Sequence, residues 1–259
     1  MIENWILLVW LAVALALLLS IERWIHRHLQ GVMLLITGDP EIAVALYALP
    51  LLPGILLHEL SHAFAATLLG VRVRGISIQP KRAGQRVQLG FVPVDRTDFV
   101  RASLIGLAPL LVGSSAILLV GYHVFNIDTI DVTCAALGWA NLVERLHLLG
   151  TLLWGALQAS DAWTWAYIVF AVSNTMLPSR SDRQAWPPIV LFLLLIGVLV
   201  WLAGLGPAII DSLTKPLRLA LQWLGTICTL TITVDLPFVL MITLAERLLE
   251  RVKGLRVEY

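Results

Sequence analysis

Three ionisable side chains stand close together inside an apolar stretch, PGILLHELSHAFAATLLG, at residues 53–70. His58 and His62 are four residues apart, so on a helix they lie on one face, one turn apart, where both can bind a single metal ion. Glu59 projects about 100° round the helix from His58, which directs it to a water molecule on the open side of the metal. Hydrolytic zinc sites need this division between ligands that leave one position for water and a base that takes its proton. The stretch therefore predicts a zinc site.

The alternative for the two histidines is a pair of core residues that make ordinary hydrogen bonds. The apolar surroundings weigh against it, because each ionisable residue in a spanning helix costs about 2.5–3.5 kcal/mol on insertion scales and is functional by default. We therefore interpret His58 and His62 as metal ligands and Glu59 as a catalytic base.

A zinc site of this kind needs a third protein ligand. The next glutamate after Glu59 is Glu144, which the charge distribution described below predicts on the opposite side of the membrane. The segment AVSNTMLPSRSDRQAWP, residues 171–187, offers Asn174 and Asp182 instead. It follows an apolar stretch that ends on the side where His58 is expected, so it is the better candidate.

Composition indicates the environment of these residues. The chain has 259 residues, of which 59% are hydrophobic and 14% charged, against roughly 45–50% and 25% in an average soluble domain. Apolar stretches recur at 4–21, 41–69, 102–125, 164–177, 188–205 and 217–245. We expect an all-α polytopic membrane protein with about six transmembrane helices in a lipid bilayer. No nucleic-acid partner is expected.

The stretch 41–69 would reach about 43 Å as one helix, which is too long for a hydrocarbon core of about 30 Å. Pro50, Pro53 and Gly54 lie where a break is needed. We predict a helix that begins near Gly54, carries HELSH in its first turns and ends at Gly70.

Residues 71–94, VRVRGISIQPKRAGQRVQLGFVPV, alternate apolar and polar side chains with the two-residue period of a strand. The alternation predicts a small β-hairpin at the cytoplasmic membrane surface. The alternative is a basic amphipathic loop that binds acidic lipid head groups.

Basic residues are unevenly distributed. Of the 18 Lys and Arg, seven lie in 71–101, two in 178–187 and four after residue 246. By the positive-inside rule these segments face the cytoplasm, and 126–163 lies outside. The active site is then expected near the cytoplasmic side. MIENWILL has no Lys or Arg, so we interpret residues 4–21 as an uncleaved anchor helix and expect a multi-pass protein of a prokaryotic plasma membrane.

HELSH in an apolar helix, the basic β-like segment, SLIGLAPLL and NTMLPSRSD together resemble the site-2 protease family of intramembrane zinc metalloproteases. The resemblance covers roughly residues 50 to 190. It implies a metalloprotease membrane core at 41–190, flanked by an N-terminal anchor helix and link at 1–40 and by C-terminal transmembrane helices with a basic tail at 188–259. The implied core consists of the HExxH helix, the hairpin 71–94, the helix 102–125 and an Asn/Asp helix 164–182.

The resemblance also implies roles for single residues. His58, His62 and Asp182 would hold Zn²⁺, and Glu59 would be the general base and later the proton donor. Asn174 would stabilise the developing oxyanion or hold the substrate backbone. For Asn174 the alternative is an amide that packs helices together.

The matching motif departs from the family at three positions. Pro178 stands four residues after Asn174 where the family usually has three, Ser181 replaces a common Leu, and Arg183 follows Asp182 where Gly is usual. The alternative for Asp182 is a cytoplasmic carboxylate paired with Arg180 or Arg183.

The implied activity is hydrolysis of peptide bonds within or near transmembrane segments of another membrane protein, with a regulatory membrane partner as a further expectation. One rival is a membrane di-iron oxygenase, because Glu59-x-x-His62 and Glu144-x-x-His147 are both Glu-x-x-His pairs. The other rival is a non-proteolytic metal-binding membrane protein, such as a transporter or a scaffold.

Overall fold

The structure is a computed structural model that describes residues 2–77, 81–83, 86–88, 90–125, 161–179 and 181–257. The described residues form seven helices: α1 (Ile2–Thr37), α2 (Pro40–Ala48), α3 (Leu52–Leu68), α4 (Phe99–His123), α5 (Ala162–Ser173), α6 (Trp186–Leu202) and α7 (Gly206–Lys253). In the described part of the chain, two short strands are present, β1 (Lys81–Ala83) and β2 (Arg86–Gln88). The helical fold class is therefore as predicted.

Among the described residues, three helical segments are long and apolar enough to cross a membrane: Leu8–Thr37, Phe99–His123 and Ser212–Lys253. The α2 and α3 helices could form a fourth, broken span, since they are bent by 74° at a short break. The α5 and α6 helices, with 12 and 17 residues, fall short of the roughly 20 that a span needs. The prediction of about six spans is thus not supported, because apolar stretches in the sequence ran on past the ends of their helices.

The first helix is longer than predicted. We expected an anchor at 4–21 and then a short polar link with His26 and His28, but α1 continues to Thr37. The helix continues because other helices supply partners for its polar residues. His28 Nδ1 lies 2.6 Å from Glu246 Oε2 of α7, and Lys253 Nζ donates hydrogen bonds to the last carbonyls of α1, at Leu35 and Ile36.

The predicted break before HELSH is confirmed. Asp39 caps α2 by accepting a hydrogen bond from the Glu41 N–H at 2.7 Å, and α3 starts again at Leu52. At the other end of α3, Gly70 has a φ of 71°, and the Val71 N–H donates to the Ala66 carbonyl at 2.8 Å. This is the glycine-terminated helix end that the sequence predicted.

The predicted continuous hairpin over 71–94 is not supported. The antiparallel ladder comprises only the pairs Lys81–Gln88, Arg82–Val87 and Ala83–Arg86. Two isolated bridges, Val73–Val94 and Ser77–Phe91, bring the flanking chain together. The Pro93 carbonyl accepts from the Arg74 N–H at 2.9 Å, but Pro93 has no N–H to donate in return. Residues 78–80, 84–85 and 89 lie outside the described part of the chain.

The predicted Asn/Asp helix 164–182 is also too long. The α5 helix ends at Ser173, with Asn174 as its C-terminal cap, and residues 181–185 form turns. The chain leaves the helix four residues before Pro178, a residue that disfavours helical backbone before it. Asp182 is therefore carried by a loop rather than by a helix.

Buried apolar residues tie the helices together around Ile25, Leu51, Ile55, Ile117 and Val169. These residues come from α1, α3, α4 and α5 and from the turn before α3. Gly54 lets α3 approach α5 closely, because a Cβ there would overlap the Ala171 carbonyl and the Thr175 hydroxyl. The α6 helix, in contrast, has no buried residue. The core therefore positions α3 against α5 and α4, which together carry the candidate site.

Candidate metal centre

Three predicted ligands meet at one point. His58 Nε2 and His62 Nε2, both on α3, are 3.1 Å apart. Asp182 Oδ1 lies 3.3 Å from His62 Nε2, and its Oδ2 lies 3.8 Å from His58 Nε2. One ligand atom from each residue falls within 4.8 Å of the others. The structure thus brings together His58, His62 and Asp182 across more than 100 residues of sequence.

Backbone carbonyls fix both histidine rings. His58 Nδ1 is 2.6 Å from the Thr175 carbonyl, and His62 Nδ1 is 2.8 Å from the Ile105 carbonyl. A carbonyl can only accept, so each Nδ1 donates its proton and each Nε2 faces the cluster, where it can bind a metal once it is deprotonated. This is how metal-binding histidines are usually oriented.

The donor set fits zinc. His58 Nε2 and His62 Nε2 face each other at 3.1 Å beside the Asp182 carboxylate, so one ion can contact all three side chains. A tetrahedral zinc with ligand bonds of about 2.0–2.2 Å puts neighbouring ligand atoms about 3.3–3.5 Å apart, against observed separations of 3.1, 3.3 and 3.8 Å. Two imidazoles and one carboxylate also leave the fourth position of a catalytic zinc open.

Asp182 is held by its own loop and by α4. The Ser179 N–H donates to Asp182 Oδ2 at 2.6 Å, and Gly106 packs so closely that a Cβ there would overlap the Asp182 carbonyl oxygen. Burial works to raise the pKa of Asp182, but the hydrogen bonds with His62 and Ser179 outweigh it and hold the pKa below its usual value. The carboxylate is therefore ionised near neutral pH, as a metal ligand must be.

The alternative pairing of Asp182 with an arginine is not what the described residues display. The Arg183 Nε donates to the Ser179 carbonyl at 3.3 Å, whereas the ion-pair contacts of Asp182 are with His58 and His62. Arg180 lies outside the described residues.

Glu59 lies next to the cluster without belonging to it. It is only 6% exposed, and its charge interacts with those of His62 and Asp182. Gly90 packs directly on its carboxylate, since a Cβ at Gly90 would overlap Glu59 Oε1. The segment after β2 therefore covers the Glu59 carboxylate. Glu59 lies beside the candidate ligands, as a catalytic base would.

Asn174 is not among the groups that meet at the cluster. Its Nδ2 donates to the Phe170 carbonyl at 2.9 Å and to Asp235 Oδ1 at 3.2 Å. None of its hydrogen bonds within the described chain reaches His58 or Asp182. These contacts are those of an amide that packs α5 against α7, and the catalytic role of Asn174 stays a prediction.

Several residues of the site were not anticipated from the sequence. The backbone carbonyls of Ile105 and Thr175 orient the histidines. Every residue has such a carbonyl, so the sequence does not indicate which ones take this role. Gly90 and Gly106 could have been suspected, because a glycine inside a strand-like or helical pattern often marks a close backbone approach. Glu144 and His147, on which the di-iron alternative depends, lie outside the described residues.

The chain matches no protein-family model, no curated protein and no solved structure. The functional assignment therefore depends on the fold and the geometry of the site. They describe a helical protein with three apolar helices that could cross a membrane, and with a cluster that could hold a metal ion.

Proposed function

We propose that the protein is an intramembrane zinc metalloprotease, similar to site-2 proteases, that hydrolyses peptide bonds within or near transmembrane segments of membrane proteins. The observation that carries the proposal is the convergence of His58, His62 and Asp182 within 4.8 Å. Glu59 follows the first of these ligands on the same apolar helix.

The residues divide the chemistry among them. Bound zinc would supply a Lewis acid and bring the pKa of water close to 7. His58, His62 and Asp182 hold the metal, and the carbonyls of Thr175 and Ile105 keep the two imidazoles in the required orientation. Glu59 takes a proton from water as the water oxygen attacks the peptide carbonyl.

Glu59 then returns the proton to the leaving amide nitrogen as the C–N bond breaks, which completes hydrolysis without another acid. Its burial beneath Gly90 keeps bulk water from competing for that proton. The side chains of His58 and Asp182 are each 12% exposed, so the proposed site is largely shielded from bulk water.

A substrate helix hides its carbonyls in its own hydrogen bonds and must unwind before attack. We propose that the substrate is a transmembrane protein whose helix unwinds easily, and that a membrane partner regulates its delivery. The basic residues around 71–101 and after 246 support a site near the cytoplasmic side of a prokaryotic plasma membrane.

The test combines metal analysis with cleavage. The chain is purified in detergent for metal analysis by mass spectrometry, and is co-expressed with a tagged single-span reporter whose transmembrane helix contains an Asn-Pro pair. We expect one zinc per chain and a shortened reporter. Glu59→Gln should keep the zinc and lower cleavage at least about 100-fold, since general-base catalysis contributes about 10²–10⁴.

Glu41→Gln is the matched control, because Glu41 lies in the first turn of α2 and is exposed. It should cleave the reporter as the native chain does. Iron in place of zinc would favour the di-iron oxygenase instead. Full cleavage by Glu59→Gln would refute the role of Glu59, and zinc without any cleavage would leave a non-proteolytic metal-binding protein.

A further inference from the structure

A second buried polar cluster lies where the end of α5 meets α7. Asp235 of α7 is 1% exposed, and its Oδ1 accepts hydrogen bonds from Asn174 Nδ2 at 3.2 Å and from Ser173 Oγ at 3.4 Å. Its Oδ2 has no hydrogen-bond partner in the described chain. We call this cluster, formed by Ser173, Asn174, Thr231 and Asp235, the α5–α7 joint.

Two further oxygen atoms of the joint are also unpartnered. They are Asn174 Oδ1 and Thr231 Oγ1, on residues that are 2% and 0% exposed. Thr231 and Asp235 are four residues apart on α7, so they share a face, while Asn174 caps the C-terminus of α5. Within the described chain, the unpartnered oxygen of Asn174 thus lies at a helix end that carries partial negative charge, and those of Thr231 and Asp235 lie on the α7 face that contacts Asn174 through Asp235.

The neighbouring charged groups do not neutralise Asp235. Glu22 on α1 interacts with it electrostatically and has the same sign of charge. His26 lies 3.7 Å from Glu22, and its Nε2 is 3.0 Å from the Asn174 carbonyl, to which it must donate. Tyr47 Oη lies 2.5 Å from His26 Nδ1, so both ring nitrogens of His26 are engaged by groups other than Asp235.

We propose that the α5–α7 joint binds a small monovalent cation, H⁺ or Na⁺, through Asp235, the amide oxygen of Asn174 and the hydroxyl of Thr231. A buried carboxylate without a positive partner is strongly disfavoured. Helix C-terminal ends and carboxylates are where membrane proteins hold Na⁺ and H⁺.

Either cation accounts for the unpartnered atoms. A proton on Asp235 Oδ2 can be donated to Asn174 Oδ1, so the acid and the amide satisfy one another. A sodium ion takes the carboxylate, amide and hydroxyl oxygens as ligands. A water molecule alone supplies hydrogen bonds but leaves the buried charge in place.

The joint is one residue away from the metal centre. Asn174 precedes Thr175, whose carbonyl accepts the hydrogen bond from His58 Nδ1 at 2.6 Å. A cation at the joint would therefore fix the carbonyl that orients a zinc ligand. This coupling rests on the proposed protease function, whereas the cation site itself does not.

The test is thermal unfolding of the full chain in detergent, in sodium chloride and in choline chloride at equal ionic strength, from about pH 5.5 to 8.5. Asp235→Asn is the informative variant, because its amide donates to Asn174 Oδ1 as a protonated acid would. Asp95→Asn is the matched control, since Asp95 pairs with Arg74 at an exposed site.

If the cation is a proton, the unfolding temperature of the native chain falls by several degrees as the pH rises, because the bound proton is lost. The unfolding temperature of Asp235→Asn should not change with pH. If it is sodium, sodium chloride raises the unfolding temperature of the native chain and has no effect on Asp235→Asn. Asp95→Asn should behave as the native chain does. If pH and sodium chloride change the unfolding temperatures of the native chain and of Asp235→Asn equally, the proposal is overturned, and the joint holds water instead of a cation.

Thr231→Val provides a second variant if Asp235→Asn does not fold, and its sodium or pH response should be reduced as well. A response equal to that of the native chain would count against Thr231 as a ligand of the cation. Zinc content and reporter cleavage are measured on the same preparations. If the zinc or cleavage measurement fails, the cation response of the unfolding temperature is still expected. If the cation response fails, zinc binding is still expected, so the two failures are distinguishable.

Discussion

The metal centre and the α5–α7 joint are both buried polar clusters, but their hydrogen bonding differs. At the metal centre, each histidine nitrogen that faces away from the cluster bonds a carbonyl, and Ser179 donates to Asp182. At the joint, Asn174, Thr231 and Asp235 each have an oxygen without a partner. Backbone groups orient the side chains of the metal centre for a metal ion. At the joint, the oxygens that lack partners within the described chain are themselves the sign of a cation.

His62→Ala should have the largest effect and should separate the two clusters. Removal of a direct ligand is expected to cost more zinc affinity than the roughly 10–100-fold attributed to outer-shell partners, so zinc should fall to background and cleavage should stop. Zinc competition with a chelator measures the change. His123→Ala, at the end of α4, is the control. The sodium or pH response of the joint should survive His62→Ala, and its loss would mean that the clusters are not separate.

Gly106→Ala should have an intermediate effect on the metal centre alone. The new Cβ meets the Asp182 carbonyl, a backbone atom that cannot rotate away, so the Asp182 loop must shift. We expect a loss of about 10-fold in zinc affinity, as for other groups that position a ligand. Gly197→Ala is the matched control, because a Cβ at Gly197 of α6 meets nothing within 4 Å. Equal zinc affinity of the two variants would contradict the described support of Asp182.

Thr231→Val should have the smallest effect and should be confined to the joint. The substitution removes one of the three unpartnered oxygens at nearly constant volume, so sodium or proton affinity should fall a few-fold while zinc affinity stays unchanged. Thr233→Val is the matched control, since the Thr233 hydroxyl already bonds the Thr229 carbonyl at 2.8 Å. A larger effect of Thr233→Val on the cation response would place the site elsewhere on α7.

The sequence predicted the parts of the metal centre that depend on local geometry. The four-residue spacing of His58 and His62 sets their shared face, and the break after Pro50 and the end at Gly70 follow from backbone preferences of single residues. Asp182 was also selected correctly as a member of the cluster. Its selection relied on the motif NTMLPSRSD and on the side of the membrane where His58 is expected. The loop that carries Asp182 was predicted as helix.

Contacts between distant segments were not predictable in this way. Asn174 bonds Asp235 across 61 residues, and no periodicity reports such a partner. Asp235 lies inside the apolar stretch 217–245, where a lone acid is itself a sign of function, but the sequence does not name its partner. Among the described residues the expected number of spans is not supported for a related reason, because hydropathy does not record where a helix ends.

The packing of α1 against α7 imposes an order of assembly on the chain. His28 meets Glu246 across 218 residues, and Lys253 meets Leu35 across a similar distance. At about 5–20 residues per second, α1 is synthesised many seconds before α7, and its polar side chains must wait that long for their partners. Every metal ligand precedes α7, so the metal centre can form while α7 is still being made. Its neighbour at Asp235 can form only when the last helix arrives.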